Sequence, residues 1–307
     1  MSDIKLYSLH NETAQEIPGS AVTVEKSLQV LFERNLESLM GIRFLATEYS
    51  TGPKHGGRID TLGIDENGSP VIIEYKRATN ENVINQGLFY LDWLQDHRAD
   101  FKLLVQEKLG NETAGTIDWS GPRLLCIAGG FNRYDEHAVQ QINRNIELIR
   151  YRRFGDGLLL LELINAKTVQ TNEPDTSDSG RKAGGTRTYE KTISDTLAGL
   201  DGRLVDLYEE TRAYMMALGD DVQERTQKYY VAFKRLRNFA CVEVHPTAGC
   251  IRLYLKVNPD SISLQPGFSR DVREIGHYGT GDLELTLRDQ ADLESARPLI
   301  QTSYEAS

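Results

Sequence analysis

From Val24 to Leu39 the apolar side chains Val24, Leu28, Leu31, Phe32, Leu36 and Leu39 recur at three- and four-residue steps, a pattern that predicts an amphipathic helix ending near Gly41. Thr23 suits its N-cap, although Lys26 stands where a capping box would place Glu. Ahead of it, residues 3–9 alternate polar and apolar as a strand does, followed by a polar loop over 10–20. Beyond it the pattern predicts a strand at 42–49, a glycine-rich loop, and strands at 58–65 and 70–77 joined by Glu66-Asn67-Gly68-Ser69. A helix begins near Glu81 with Thr79 or Asn80 as N-cap, and helical character runs on through Phe101, Leu104 and Leu109. An apolar run at 122–131 predicts a buried strand, residues 134–145 a polar helix, and residues 146–164 a hairpin closing over Gly155-Asp156-Gly157. This is an α/β order of elements.

Residues 168–188 are poor in large apolar side chains and rich in Ser, Thr, Gly and Asp, which is linker composition. After it, Ile193, Leu197, Leu200, Leu204, Leu207 and Met215 mark two helices broken near Gly199–Gly202. Strands follow at 229–236, 239–245 and 250–257, then a last strand and a helix, giving an α+β domain. The expected division is therefore 1–167, a linker over 168–188, and 189–307.

A chain of 307 residues, 39% hydrophobic and 26% charged, has the balance of a globular protein with room for two domains. The first residues lack a basic segment followed by an apolar one, and no apolar run reaches the roughly 18 residues of a spanning helix, so the expected location is cytoplasmic, with no membrane partner. Three cysteines without CxxC spacing favour reduced thiols, with Cys241 and Cys250 as core residues on nearby strands. The net charge of -10 provides no general polyanion-attracting surface, so any contact with nucleic acid must be local or assisted by cations. No phosphate-cradling GxxxxGK[ST] loop occurs.

The chemistry concentrates in residues 56–90. If Glu66, Asn67 and Gly68 form a three-residue loop with Gly68 left-handed, Asp65 faces Ser69 and Asp60 faces Glu74. Side chains alternate along a strand, so Asp60, Glu74 and Lys76 then share one face, with Ile73 and Tyr75 on the other; a two-residue turn would separate them. Two carboxylates beside Leu62 and Ile72 are costly to bury without compensation, which a divalent cation supplies. Carboxylate oxygens suit Mg²⁺ or Mn²⁺, and a neighbouring lysine can orient or deprotonate an attacking water. The competing reading is an exposed hairpin with an ordinary charge cluster. Gln86 and Tyr90, four apart, stand on one face of the following helix, while Glu33 and Glu37 lie one turn apart on the first.

The ordered set of a helix with Glu33, then Gly-Arg-Ile-Asp60, then Glu74-Tyr75-Lys76, then Gln86-x-x-x-Tyr90 resembles the PD-(D/E)XK, or restriction-endonuclease-like, nuclease superfamily, in its RecB-like and NucS-type branches. The resemblance covers roughly residues 20–165. Ile59 stands where the name-giving pattern has proline. The resemblance implies a mixed β-sheet flanked by helices and Mg²⁺- or Mn²⁺-dependent phosphodiester hydrolysis in nucleic acid, DNA first. It implies Asp60, Glu74 and the Tyr75 carbonyl as metal ligands, Lys76 as catalytic lysine, Glu33 as supporting carboxylate, and Gln86 and Tyr90 as a site-shaping pair. A homodimer would supply the pair of sites needed to cut both strands at once. The rival is a nuclease-fold binding or regulatory module that no longer turns over.

The second domain, through RDVREIGHYGTGDLELTL and LIQTSY, resembles a domain of unknown function that recurs after such nucleases, in proteins labelled predicted transport proteins. Its expected role is recognition of substrate or partner. His277 in the glycine-rich turn reads as structural. Tyr229, Tyr230, Phe233, Lys234, Arg235 and Arg237 would suit a single-strand-binding surface or, more simply, a half-buried strand. Arg150, Arg152 and Arg153 form the dense basic run of the first domain, placed either at phosphate or at a solvated strand edge.

Overall fold

A computed structural model describes residues 4–20, 25–76, 82–167 and 192–307. Thr23, Val24, Thr79, Asn80, Glu81 and the linker over 168–188 lie outside the described residues. The chain divides into two units, Met1–Thr171 and Asn172–Ser307.

Unit 1 begins with β1 (Leu6–His10) and β2 (Thr13–Ile17), an antiparallel hairpin where the sequence pattern suggested one strand and a loop. The reversal is made by Asn11 and Glu12, both at positive φ, of which Asn is the more tolerant. After the two-residue β3 (Gly19–Ser20) come α1 (Glu25–Arg34) and α2 (Leu36–Met40). The single helix expected over 24–41 is thus broken at Asn35, whose side chain donates to the Leu31 carbonyl and competes with the helical ladder. Next are β4 (Ile42–Ser50), the short α3 (Gly52–His55), β5 (Arg58–Asp65), β6 (Pro70–Lys76), α4 (Asn82–Asp96) and α5 (Arg98–Gly115). β7 (Arg123–Ala128), α6 (Arg133–Gln141), β8 (Asn145–Phe154) and β9 (Leu158–Lys167) complete the unit.

These strands form a mixed sheet in the order β4-β5-β6-β7-β8, with β9 along the other edge of β8 and β3 on its last two residues. The β6-β7 and β7-β8 pairs are parallel, the others antiparallel. Helices flank the sheet. On one face α4 and α5 bury Ile84, Leu91, Leu94, Phe101 and Val105 with Leu62, Ile72, Leu124 and Cys126. The other face meets α1, where Phe32 packs against the Tyr75 ring at 5.7 Å between centroids.

The β5-β6 turn has the geometry on which the side-chain parity depends. Asp65 N–H donates to Ser69 O at 2.9 Å, Gly68 N–H donates to Asp65 O at 3.0 Å, and Gly68 has φ +79°. A Cβ on Gly68 would lie 2.7 Å from the Thr116 carbonyl oxygen as well as forcing a left-handed backbone. Gly68→Ala is therefore expected to destabilise the protein by roughly 2 kcal/mol or more, read as a lowered urea midpoint.

A buried ion triad pins the same turn. Arg123, 2% exposed, donates to both carboxylate oxygens of Glu147 at 2.8 and 2.9 Å and to Asp65 Oδ2 at 2.8 Å. Burial opposes the guanidinium charge, but Glu147 and Asp65 hold its pKa above the ordinary range. Asp65 Oδ1 also accepts from the amides of Asn67 and Ser69. In β8, Arg150 is buried and paired with Glu162, so it is not part of a solvated edge. Arg152 donates to the Ile4 carbonyl and Arg153 to that of Asp156.

Unit 2 is α+β. It runs α7 (Ile193–Ala198), α8 (Gly202–Met216), β10 (Gln223–Thr226), β11 (Val231–Lys234), β12 (Asn238–His245), β13 (Cys250–Leu255), β14 (Ser269–Asp271), β15 (Leu283–Leu287) and α9 (Gln290–Glu305). Its sheet is antiparallel in the order β10-β11-β12-β13-β15-β14, with all three helices contributing to one core against it. Cys241 faces Tyr254 and Cys250 faces His245 in the register, so the two buried thiols are not opposite one another. Phe233 is buried in the core and Tyr230 beneath the other face. Among the described residues no helix is long and apolar enough to cross a membrane.

Candidate functional site

The sheet register runs Leu62↔Ile72 and Thr61↔Ile73, and one step further it sets Asp60 opposite Glu74. There the main-chain ladder ends and the two carboxylates take its place. Asp60 N–H donates to Glu74 Oε1 at 3.2 Å, and Tyr75 N–H donates to Asp60 Oδ2 at 3.1 Å. Each carboxylate is thus tied to the other strand's backbone, which brings the pair together at the C-terminal end of β6. Glu74 is 0% exposed, and its Oε2 has no hydrogen-bond partner among the described residues.

Burial first, and then the neighbouring Asp60, push the Glu74 carboxyl up to about 9. Asp60 is also raised, again chiefly by burial, with the Tyr75 amide and Lys76 opposing. Two acids held together, Glu74 buried and Asp60 half-buried, with Lys76 as the positive charge acting on both, suit a hard divalent cation. Two carboxylates and a main-chain carbonyl are a sufficient protein donor set for Mg²⁺ or Mn²⁺, which retain waters and take further oxygens from phosphate. Among the described residues no cluster of three His, Cys, Asp or Glu that could hold a metal occurs, so the fit rests on this smaller set.

Lys76, two residues beyond Glu74 on β6, places its Nζ 3.2 Å from Glu25 Oε1, at the start of α1. Glu25 also acts electrostatically on both acids, raising each. Glu33, by contrast, accepts from Thr61 Oγ1 at 2.7 Å and Gln29 Nε2 at 3.0 Å, and Thr61 alternates to the face of β5 opposite Asp60. The α1 carboxylate that meets the cluster is therefore Glu25, with Glu33 behind it. Sequence reasoning missed Glu25 and Gln29. Their signal was a Glu25-Gln29-Glu33 row at four-residue steps alongside the apolar Leu28 and Phe32.

Gln86 and Tyr90 meet as their spacing suggests. Gln86 Nε2 donates to the Tyr90 hydroxyl at 3.3 Å, and that hydroxyl accepts from Arg58 N–H at 3.2 Å. A Cβ on Gly57 would lie 2.6 Å from the Tyr90 ring. The phenol therefore rests on the backbone leading into Asp60, a contact that needs glycine at position 57. In unit 2, His277 stacks on Tyr254 with centroids 4.2 Å apart, and its Nδ1 bonds the Ile275 carbonyl.

The C-terminal unit matches a family of unknown function. Residues 193–307 fit a family model described as a domain of unknown function, DUF5655. An uncharacterized protein of Haemophilus influenzae (strain Rd) is 29% identical over 308 residues, spanning 98% of this chain and 100% of that protein. Two solved structures are similar at 18% identity. One is the EndoMS-dsDNA2 complex, with a TM-score of 0.28, covering 41% of this chain and 44% of that chain. The other is a repair endonuclease from Pyrococcus abyssi, with a TM-score of 0.29, covering 43% of this chain and 48% of that chain. This chain thus spans less than half of either.

Proposed function

We propose that the protein is a metal-dependent nuclease of the PD-(D/E)XK type that hydrolyses phosphodiester bonds, in DNA first, with Mg²⁺ or Mn²⁺ as cofactor. The observation that carries the reading is the Asp60–Glu74 pair: two cross-strand acids with raised pKa values, one unpaired carboxylate oxygen, and Lys76 beside them. Asp60, Glu74 and the Tyr75 carbonyl would hold the cation, which supplies Lewis-acid polarisation of the phosphoryl group and a more acidic water. Glu25 holds Lys76 as an ammonium, which orients the attacking water; to accept that water's proton Lys76 must first give up its own. Gln86 and Tyr90 keep the Gly57–Arg58 backbone, and with it Asp60, in position. With a net charge of -10, the protein has no general attraction for polyanions, and the cation would supply the positive charge for phosphate at this site. The second unit recognises substrate or partner.

The test is incubation of the full chain with single-stranded, duplex and branched DNA, and with RNA, in Mn²⁺ or in EDTA, alongside Asp60→Ala. Cleavage in Mn²⁺ should disappear in EDTA and fall by about a thousandfold in the variant. Cleavage that survives both changes would move the activity elsewhere. No cleavage of any substrate leaves the binding-module reading in its place.

A further inference from the structure

Asp60 is the one residue of β5 without a Cα partner on either side. Pairing with β4 passes from Thr47↔Thr61 to Tyr49↔Ile59, and pairing with β6 stops at Thr61↔Ile73. Across the gap in β4, Glu48 has φ +49°, outside the extended region. Both main-chain polar groups of Asp60 are held by side chains instead. Its N–H donates to Glu74, and its carbonyl accepts from Gln29 Nε2 at 2.7 Å, the shortest contact that Gln29 makes.

Gln29 is only 3% exposed, although it lies on a surface helix. Its amide nitrogen also meets Glu33 Oε1 at 3.0 Å and Thr47 Oγ1 at 3.1 Å, while its oxygen accepts from Lys26 Nζ at 3.0 Å. Lys26 continues to Glu48 Oε1 at 2.8 Å. Acceptors surround one end of the amide and a cation the other, so only this orientation of the side chain satisfies the network. It links α1 to the irregular points of both β4 and β5.

We infer that Gln29 is a positioning residue for Asp60: by holding the carbonyl that the ladder leaves out, it keeps the Asp60 carboxylate on the Tyr75 amide and beside Glu74. A structural role alone would give Gln29 any buried acceptor, whereas it bonds the main chain of Asp60 itself. The consequence for cation affinity rests on the nuclease reading; the consequence for the backbone does not.

Gln29→Met, which keeps the volume, and Gln29→Ala are compared with Thr47→Val, which removes only a flanking contact. In metal-free full-length protein, amide exchange at Asp60 and Tyr75 should quicken about tenfold in the Gln29 variants, with Leu62 and Ile72 unchanged. By titration calorimetry Mn²⁺ should bind about tenfold more weakly, and saturating Mn²⁺ should restore cleavage to within about threefold of the parent. Thr47→Val should leave all three readouts unchanged. Exchange at Asp60 and Tyr75 that stays within about twofold, or that rises equally along β5 and β6, overturns the inference. A parent protein that binds no Mn²⁺ sinks the nuclease reading instead, while the exchange rates still decide the role of Gln29.

Discussion

Glu74→Gln is expected to abolish Mn²⁺-dependent cleavage, by about a thousandfold or more, while making the metal-free protein more stable at pH 8. Both effects come from one buried carboxyl. Its pKa is about 9 in the folded chain against 4.5 as the ordinary value. Between those limits the folded state holds a proton that the unfolded state has released, so stability falls as pH rises, by about 1.4 kcal/mol per unit. The raised pKa of Asp60 adds a contribution of the same sign. Glutamine keeps an oxygen for the Asp60 amide but cannot lose a proton, so the variant loses the Glu74 part of this slope. Calorimetric melting in EDTA from pH 5 to pH 8 should show the variant gaining on the parent throughout. Added Mn²⁺ should then stabilise the parent, in which the cation replaces the proton, and leave the variant where it was. Parallel pH profiles for the two proteins would mean that Glu74 is ionised without metal, removing the electrostatic case for a cation.

The second large effect lies at the other end of the same hairpin. Arg123→Met should destabilise the protein by about 3–5 kcal/mol in urea at neutral pH, because Asp65 and Glu147 lose the cation they share. The loss should shrink at low pH, as those acids protonate. Adding Asp65→Asn and Glu147→Gln to Arg123→Met should recover most of it, since the cost is that of uncompensated charge. Lys5→Ala offers the contrast. Lys5 and Glu16 pair at 3.6 Å with both side chains 49% exposed, and the expected change is under about 1 kcal/mol. Equal effects at the two sites would show that burial does not control the energy of these pairs.

Much of the first unit was legible where periodicity and turn chemistry agree. The β5-β6 hairpin is the clearest case. Asn67-Gly68 signals the turn, and one assumption about Gly68 gives the observed register through Thr61↔Ile73, beyond which Asp60 and Glu74 are joined through their carboxylates. The helix broken at Asn35 and the strand from Thr13 to Ile17 were misjudged because apolar spacing does not register a side chain that competes with the backbone, or two non-glycine residues in a left-handed turn. β10 and β14, four and three residues long, are too short to show a period of their own.

For the site, local sequence was sufficient to bring Asp60 to Glu74 and Gln86 to Tyr90, because alternation along a strand and the helical four-residue step are short-range geometry. It could not decide which carboxylate of α1 reaches the cluster. Glu25, Glu33 and Glu37 all lie on or next to that helix, and the choice depends on where α1 crosses β5 and β6, a matter of packing between segments far apart in the chain. The raised pKa of Glu74 belongs to the tertiary structure for the same reason: burial first and then Asp60, fourteen residues away on the neighbouring strand, set it. Gln29 likewise reads in the sequence as one polar residue on an amphipathic helix, and only its hydrogen bond to the Asp60 carbonyl, 31 residues away, makes it part of the site.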